Sequence, residues 1–181
     1  CERYGAVAGI NGGAYLDVDG AGLGGTPQGL TIIYGVCYDD ANGAASSFVG
    51  FDANHILHTG YMTYADAQEK GIVDGVTFEP VLIVNGQMED ASVLNTGTNP
   101  RTAIGQRADG AVLMLVIDGR QVHSTGATQQ DVAEVMLDYG AVNACSLDGG
   151  SSTCMWFNGE YLNSISGGSG ARWLPDAFLV K

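Results

Sequence analysis

Apolar stretches in this chain are short, and most of them end at a glycine, an Asn-Gly or an Asp-Gly pair. That pattern predicts many short strands joined by tight turns. Strands are expected over residues 5–10, 30–38, 47–51, 81–84, 141–147 and 177–180, and over 155–157 paired with 161–162 across Asn158-Gly159. Residues 39–43 turn the chain between the second and third of these, and Asn85-Gly86 ends the fourth. Residues 111–117 are continuously apolar and read as a central strand, with Asp118-Gly119 as a hairpin turn into Arg120-Gln121-Val122. Two segments carry a helical period. Residues 63–70 form a short helix with Thr63 as N-cap, Asp66 in its first turn and Gly71 as its stop. In residues 128–139, Val132, Val135, Met136 and Tyr139 fall at i, i+3, i+4 and i+7 and should pack on the sheet. Thr128 caps that helix, Asp131 favours its first turn and Gly140 ends it. Segments 17–29 and 164–171 are glycine-rich loops. The expected fold is α/β in the broad α+β sense. It has a mixed, mostly β core with two or three helices packed on it, in one domain spanning residues 1–181.

Composition sharpens this reading. A chain of 181 residues with 45% hydrophobic side chains can bury a sizeable core, and 28 glycines without a collagen-like period imply many turns rather than long helices. The net charge of −13 repels nucleic acid and anionic membrane surfaces, and no apolar run reaches membrane-spanning length. We therefore expect no nucleic-acid partner and no membrane insertion by this domain. The basic side chains are mainly Arg3, Arg101, Arg107, Arg120 and Arg172, so any anion site must be built locally from one or two of them and backbone N–H groups.

Metals find little support. Cys1, Cys37, Cys145 and Cys154 lack metal-ligand spacing, and buried free thiols are the favoured reading, with a Cys145–Cys154 staple as the alternative. Asp17-Val18-Asp19-Gly20 faintly resembles a calcium loop but lacks the spacing and terminal Glu of an EF-hand. His55 and His58 are spaced for a metal on a helix, but their context is strand or loop. Neither cofactor nor metal is expected.

Candidate chemistry concentrates at three polar corners. Residues 147–153 read Leu-Asp-Gly-Gly-Ser-Ser-Thr and bury almost no apolar surface, so their value lies in geometry or chemistry. Asp148 sits at a strand end, and Gly149 and Gly150 permit a sharp turn and close approach to a ligand. The alternative is a tight turn with an Asx-type bond. Asn11-Gly12-Gly13 is a second such corner. In Asn99-Pro100-Arg101-Thr102, Pro100 fixes its own φ and restricts Asn99, which holds Arg101 in one direction. A tethered arginine suits bidentate recognition of phosphate or carboxylate, and a surface salt bridge is the simpler account.

Together these pieces resemble the phosphodiester glycosidase family. The match runs in order through Asn11-Gly12-Gly13, residues 99–105, Asp118-Gly119-Arg120, the helix before Gly140, residues 147–152 and Arg172, and covers nearly the whole chain. Ala14-Tyr15 and Cys145 depart from the family pattern. The resemblance implies sequence ahead of Cys1, an extracellular or cell-surface setting, and bacterial relatives tied to exopolysaccharide. It also implies cleavage of the C1–O bond of a sugar-1-phosphodiester. That reaction needs cations on the departing phosphate and a carboxylate near C1. Carried onto this chain, Asp148, Arg101 and Asn11 are the catalytic candidates. Asp148 would be nucleophile or base, Arg101 would hold the phosphate, and Asn11 would bond sugar hydroxyls or phosphate. Gly12, Gly13, Thr102, Gly149, Gly150, Ser151, Ser152 and Arg172 are the substrate-binding candidates. Asn11, Arg101, Asp148 and Arg172 should meet in one cleft, walled on one side by the backbone of Gly149 and Gly150. Asp118 is the obvious second carboxylate, although its hairpin setting favours a turn. Three rival readings are a non-catalytic carbohydrate-binding domain using Trp156, Tyr161 and Trp173, a phosphodiesterase that breaks P–O, and a structural surface domain.

Overall fold

The computed structural model describes residues 1–18, 24–167 and 170–181. Parts of the two glycine-rich loops, and Asp19 and Gly20 of the calcium-like stretch, lie outside the described residues. In chain order the elements are β1 (Ala8–Asn11), β2 (Thr31–Ile33), β3 (Val36–Asp39), β4 (Ser46–Asp52), β5 (Leu57–Met62), α1 (Tyr64–Glu69), β6 (Ile72–Thr77), β7 (Val81–Val84), β8 (Gln87–Met88), α2 (Ala91–Leu94), β9 (Arg101–Arg107), β10 (Val112–Ile117), α3 (Gln129–Asp138), β11 (Ala141–Leu147), β12 (Met155–Phe157), β13 (Glu160–Tyr161) and β14 (Ala177–Val180). This is the β-rich α+β architecture that the alternation predicts.

The strands form three sheets, ordered β10-β9-β11-β7-β8, β3-β2-β6-β4-β5 and β13-β12-β1-β14. Every pairing between these strands is antiparallel, where the pattern had suggested mixed directions. Hairpins link β2–β3, β4–β5, β7–β8, β9–β10 and β12–β13, and a short turn can join only antiparallel neighbours. The two five-stranded sheets enclose one core between them, built from Val49, Leu57 and Val76 on one side and Val81, Ile104, Cys145 and Leu147 on the other. Ile10 of β1 joins this layer, which brings the third sheet against the other two. A second core lies under α3, where Val132, Ala133 and Met136 meet Leu82, Ala103 and Ala144. A third places Ala67 of α1 with Leu30, Ile32 and Phe48.

Both longer helices start as their sequences predict. Thr63 with Asp66 and Thr128 with Asp131 each form a reciprocal capping box, which satisfies N–H groups that a helix start would leave unpaired. Three expectations need correction. Tyr139 is 68% exposed, because α3 ends at Asp138 and the chain has already turned toward Gly140. Residues 112–117 form an edge strand, not a central one. Its apolar run is continuous because Leu113, Leu115 and Ile117 pack toward α3 while Met114 and Val116 pack toward the core between the sheets, so both faces are covered. After Ile117 no strand returns through Arg120-Gln121-Val122. Arg120 takes a positive φ of 56°, Gln121 and Ser124 bond each other, and Val122 is fully exposed.

Candidate functional site

β1, β9 and β11 end or begin at the same edge of the fold, and the three polar corners meet there. Asn11 is their hub. Its Nδ2 donates to the Asp148 carbonyl at 2.6 Å, and its Oδ1 accepts from Thr102 Oγ1 at 2.8 Å and from the Cys154 N–H at 3.1 Å. Asn11 is 2% exposed and Thr102 is fully buried, so both act beneath the surface as a bracket between strands. The Asp148 N–H donates to the Gly12 carbonyl at 3.1 Å, and the Gly150 N–H to the Pro100 carbonyl at 2.9 Å. The Asp148 turn is thus tied from both flanks.

Gly12 and Gly13 are small because protein, not ligand, presses on them. A Cβ on Gly12 would lie 2.0 Å from Asp176 Oδ1, and one on Gly13 would lie 2.6 Å from the Thr77 carbonyl. The Gly13 N–H donates to Asp176 Oδ1 at 2.8 Å, and the Gly12 N–H to the Asp176 carbonyl at 3.2 Å. Gly12→Ala should therefore destabilise the protein by about 1–3 kcal/mol, the usual cost of overpacking. A melting curve checks this, with a fall in Tm expected.

Two depressions adjoin at the Asp148 turn. The smaller, of about 160 Å³, is lined by Ala14, Tyr15, Asp17, Phe78, Asp148 and Arg172. The Arg172 guanidinium pairs with Asp17 and lies 5.8 Å from the centre of the Tyr15 ring. The larger groove, of about 640 Å³, is lined by Arg101, Arg120, Asn99, Gln129, Gly149 and Gly150 among others. Phe78 borders both depressions. Arg101 and Arg172, expected in one cleft, thus line neighbouring depressions joined through consecutive residues 148–150, and Asn11 lies beneath. Ser151 is half-buried beside Gly167, and Ser152 is buried.

The electrostatics differ between the two parts. In the cleft, burial raises the Asp148 carboxyl above its ordinary value. The Ser152 hydroxyl, the Gly149 N–H and Arg172 offset this in part, while Asp17 adds to it. Asp17 and Asp148 give the cleft two carboxylates. In the groove, Arg101 Nε donates to the Ala127 carbonyl at 3.0 Å and its Nη2 to Thr96 Oγ1 at 3.0 Å and the Gly97 carbonyl at 2.6 Å. Arg120 Nη2 donates to Asn99 Oδ1 at 2.8 Å. Among the described residues neither arginine forms an ion pair, although Glu79 also lines the groove. Burial, then the neighbouring Arg120, lowers the Arg101 pKa. Two held cations without a carboxylate partner are the kind of donors that an anion would need.

A third carboxylate stands behind the cleft. Burial raises the Asp176 carboxyl, the Gly13 N–H opposes that, and the charge of Asp148 adds to it. Its Oδ2 is buried without a hydrogen bond. The native state therefore holds this proton to a higher pH than the unfolded chain does. Between the unfolded value near 3.8 and the higher folded one, stability falls as pH rises. Asp176→Asn should melt above the parent protein at pH 7, and the gap should close below pH 3.8, where the parent's carboxyl is protonated in both states. Thermal scans across that range check the sign.

Asp118 is engaged elsewhere. His123 Nε2 lies 3.0 Å from Oδ2, and the Ser164 N–H donates to Oδ1 at 2.9 Å, so its carboxylate organises loops. His58 faces Asp52 at 3.2 Å, and among the described residues no cluster of three or more His, Cys, Asp or Glu side chains could hold a metal. The four cysteines are free thiols, and burial pushes Cys145 up to about 12. Sequence reasoning passed over Asp176, which sits in a segment with no periodic signal. It weighed Asp17 only as part of a calcium-like stretch, and it named Arg120 among the possible anion-site arginines, in the expected hairpin and in a matched tripeptide, without choosing it as a site residue.

The family model for phosphodiester glycosidases matches residues 4–181. The chain belongs to the phosphodiester glycosidase family. Among curated proteins it is similar to the SPbeta prophage-derived uncharacterized protein YomE of Bacillus subtilis, at 32% identity over 156 residues, covering 80% of this chain and 24% of that protein. It is also similar to the bovine N-acetylglucosamine-1-phosphodiester alpha-N-acetylglucosaminidase, at 27% identity over 176 residues, covering 86% of this chain and 32% of that one. The chain thus spans about a quarter and a third of these two relatives. The catalytic domain of the zebrafish enzyme of the same name, auto-inhibited by its pro-peptide, superposes with a TM-score of 0.75 at 22% identity, covering 96% of this chain and 61% of that one. A Burkholderia pseudomallei protein described as exported superposes with a TM-score of 0.67 at 18% identity, covering 99% and 66%. These structural matches establish that the glycosidase fold is shared.

Proposed function

We propose that this domain hydrolyses a sugar-1-phosphodiester at the C1–O bond, releasing free sugar and a phosphomonoester. One observation carries the reading: the turn at residues 148–150 borders both a desolvated carboxylate and two arginines that form no ion pair among the described residues. The sugar would occupy the smaller cleft with C1 toward Asp148, and the phosphate would lie across Gly149 and Gly150 toward Arg101 and Arg120. When C1–O breaks, the bonding pair stays on the phosphate oxygen. Two guanidiniums stabilise the charge that gathers there, so the leaving group needs little acid assistance. Asp148 acts at C1, either by direct attack or by taking a proton from the water that attacks. Asp17 is placed to orient Arg172 at the sugar side. Asn11, itself held by the Thr102 hydroxyl, donates to the Asp148 carbonyl and so aims the carboxylate.

The bovine relative's name makes an N-acetylglucosamine 1-phosphodiester the first substrate to test. Hydrolysis in ¹⁸O-water should place the label on the sugar. Label in the phosphate would mean P–O cleavage, and binding without turnover would mean a carbohydrate-binding domain. We also propose an extracytoplasmic setting, supported by the likeness to a protein described as exported. Among the described residues no helix is long and apolar enough to cross a membrane.

A further inference from the structure

The larger groove has more room than a phosphate needs. At about 640 Å³ it has the size of a site for a small organic molecule, and the two arginines account for only part of its wall. The rest of that wall carries two polar groups with no part in the hydrolysis proposed above. Gln129 is 2% exposed and lines the groove, and its side-chain oxygen Oε1 is buried without a donor. Glu79 is the one carboxylate among the lining residues, and among the described residues it forms no ion pair.

Hydrogen bonds fix the order of these groups. Thr96 Oγ1 accepts from Arg101 Nη2 at 3.0 Å and from the Gln129 N–H at 3.1 Å, so Gln129 stands next to Arg101. Gln129 Nε2 donates to Ser146 Oγ at 2.9 Å, and the Ser146 N–H donates to the Pro80 carbonyl at 3.1 Å. Gln129 is thereby tied also to the segment that carries Glu79. Tyr61 pairs across the strands with Ser47, whose Oγ donates to the Phe78 carbonyl at 2.6 Å, which brings Tyr61 to the same segment. The groove therefore runs from two cations, past an acceptor without a donor, to a carboxylate with two aromatic residues in its neighbourhood.

Each group asks for a different property of the ligand. The arginines call for the phosphate anion. Glu79 calls for a cation, and a net charge of −13 favours one. Gln129 Oε1 calls for a hydrogen-bond donor, because a buried acceptor left alone costs free energy. A hydroxyl would serve Gln129 and leave Glu79 without a counter-charge. A trimethylammonium would serve Glu79 and the aromatic rings but has no N–H to give Gln129. A primary ammonium carries both the charge and three donors.

We propose that this groove binds the alcohol half of the phosphodiester and selects one that bears a primary ammonium, an aminoalkyl phosphate of the ethanolamine phosphate type, with Glu79 and Gln129 as specificity-determining residues. This rests on the proposed seat of the phosphate at Arg101 and Arg120. A short carbon chain leads from there past Gln129, where the ammonium donates to Oε1 and faces the Glu79 carboxylate.

The test compares three N-acetylglucosamine 1-phosphodiesters at pH 7 whose aglycones are 2-aminoethyl, 2-hydroxyethyl and 2-(trimethylammonio)ethyl. The aminoethyl diester should show the highest kcat/KM, by about fivefold or more over each of the others and mostly through KM, the scale of one charge-assisted hydrogen bond. Glu79 is exposed, so its variants should fold. Glu79→Gln should bring the aminoethyl-to-hydroxyethyl ratio toward one, and Glu79→Lys should invert it. An aminoethyl diester no better than the hydroxyethyl one, or a preference that survives Glu79→Lys, would overturn the proposal. So would equal kcat/KM for the aminoethyl and trimethylammonio diesters, because no donor would then reach Gln129. If none of the three is hydrolysed, the proposed function falls, and calorimetry with the free phosphates decides for the groove. Tighter binding of ethanolamine phosphate than of 2-hydroxyethyl phosphate, weakened in Glu79→Gln, would uphold the inference. Equal binding of the two, or none, would overturn it.

Discussion

Asp148→Asn should lower turnover of a sugar-1-phosphodiester by ~100-fold or more, the scale of losing one acid–base or electrostatic group. The substitution removes charge and leaves the frame intact. The backbone of residue 148 makes the bonds to Asn11 and Gly12, and neither depends on the side chain. Asparagine fills nearly the same volume and keeps a side-chain acceptor at that position. Stability should not fall, because the carboxyl it replaces is one that burial holds above its ordinary pKa. Removing such a group stabilises the native state wherever that group would otherwise have to ionise. Loss of activity with an unchanged or higher Tm at pH 7 is the expected pair of results. Wild-type activity in this variant would remove Asp148 from the chemistry, and lost activity with a lower Tm would show that the frame had moved.

Why Asp148 could be found from sequence, and its neighbours could not, has a physical reason. Local signals mark places where the chain must do something costly. The Leu-Asp-Gly-Gly-Ser-Ser stretch buries nothing apolar at the end of a buried strand, and Asn99-Pro100 stiffens the entry to Arg101. Both stand out against a hydrophobic pattern, as do the capped helices at Thr63 and Thr128. The hydrogen bonds of Asp176 to the glycine corner reach residues more than 150 positions away, with Gly13 at a separation of 163. No periodicity or turn rule reports such a contact. Asn11 was visible as a polar residue at a strand end, but its burial and its three partners exist only once β1, β9 and β11 are assembled. The misread edge strand has a related cause. The apolar run of β10 registers two covered faces, and nothing in its sequence tells whether its outer hydrogen-bonding edge has a neighbour. Tyr139 continued the helical period, but Gly140 and the end of α3 released it to solvent.

Arg101→Lys should be the second most damaging change, with a loss of about 10- to 100-fold in kcat/KM. The arginine is fixed on one side by the Ala127 and Gly97 carbonyls and by Thr96 Oγ1. These bonds use Nε and Nη2, so the planar group is clamped at one edge and the Nη1 edge is left for the groove. Lysine has one flexible ammonium in place of the fork and cannot be held at one edge while it presents the other. Arg120 lines the same groove but is anchored by a single bond to Asn99. Arg120→Lys should therefore cost less than Arg101→Lys. The pattern that separates an anion site from a structural role is competitive inhibition by inorganic phosphate. It should weaken in both variants, and most in Arg101→Lys, with the Asp148 titration unaltered. Phosphate inhibition equal to that of the parent protein in Arg101→Lys would place the departing phosphate elsewhere and leave Arg101 as a clasp between the chain at residues 96–97 and the start of α3.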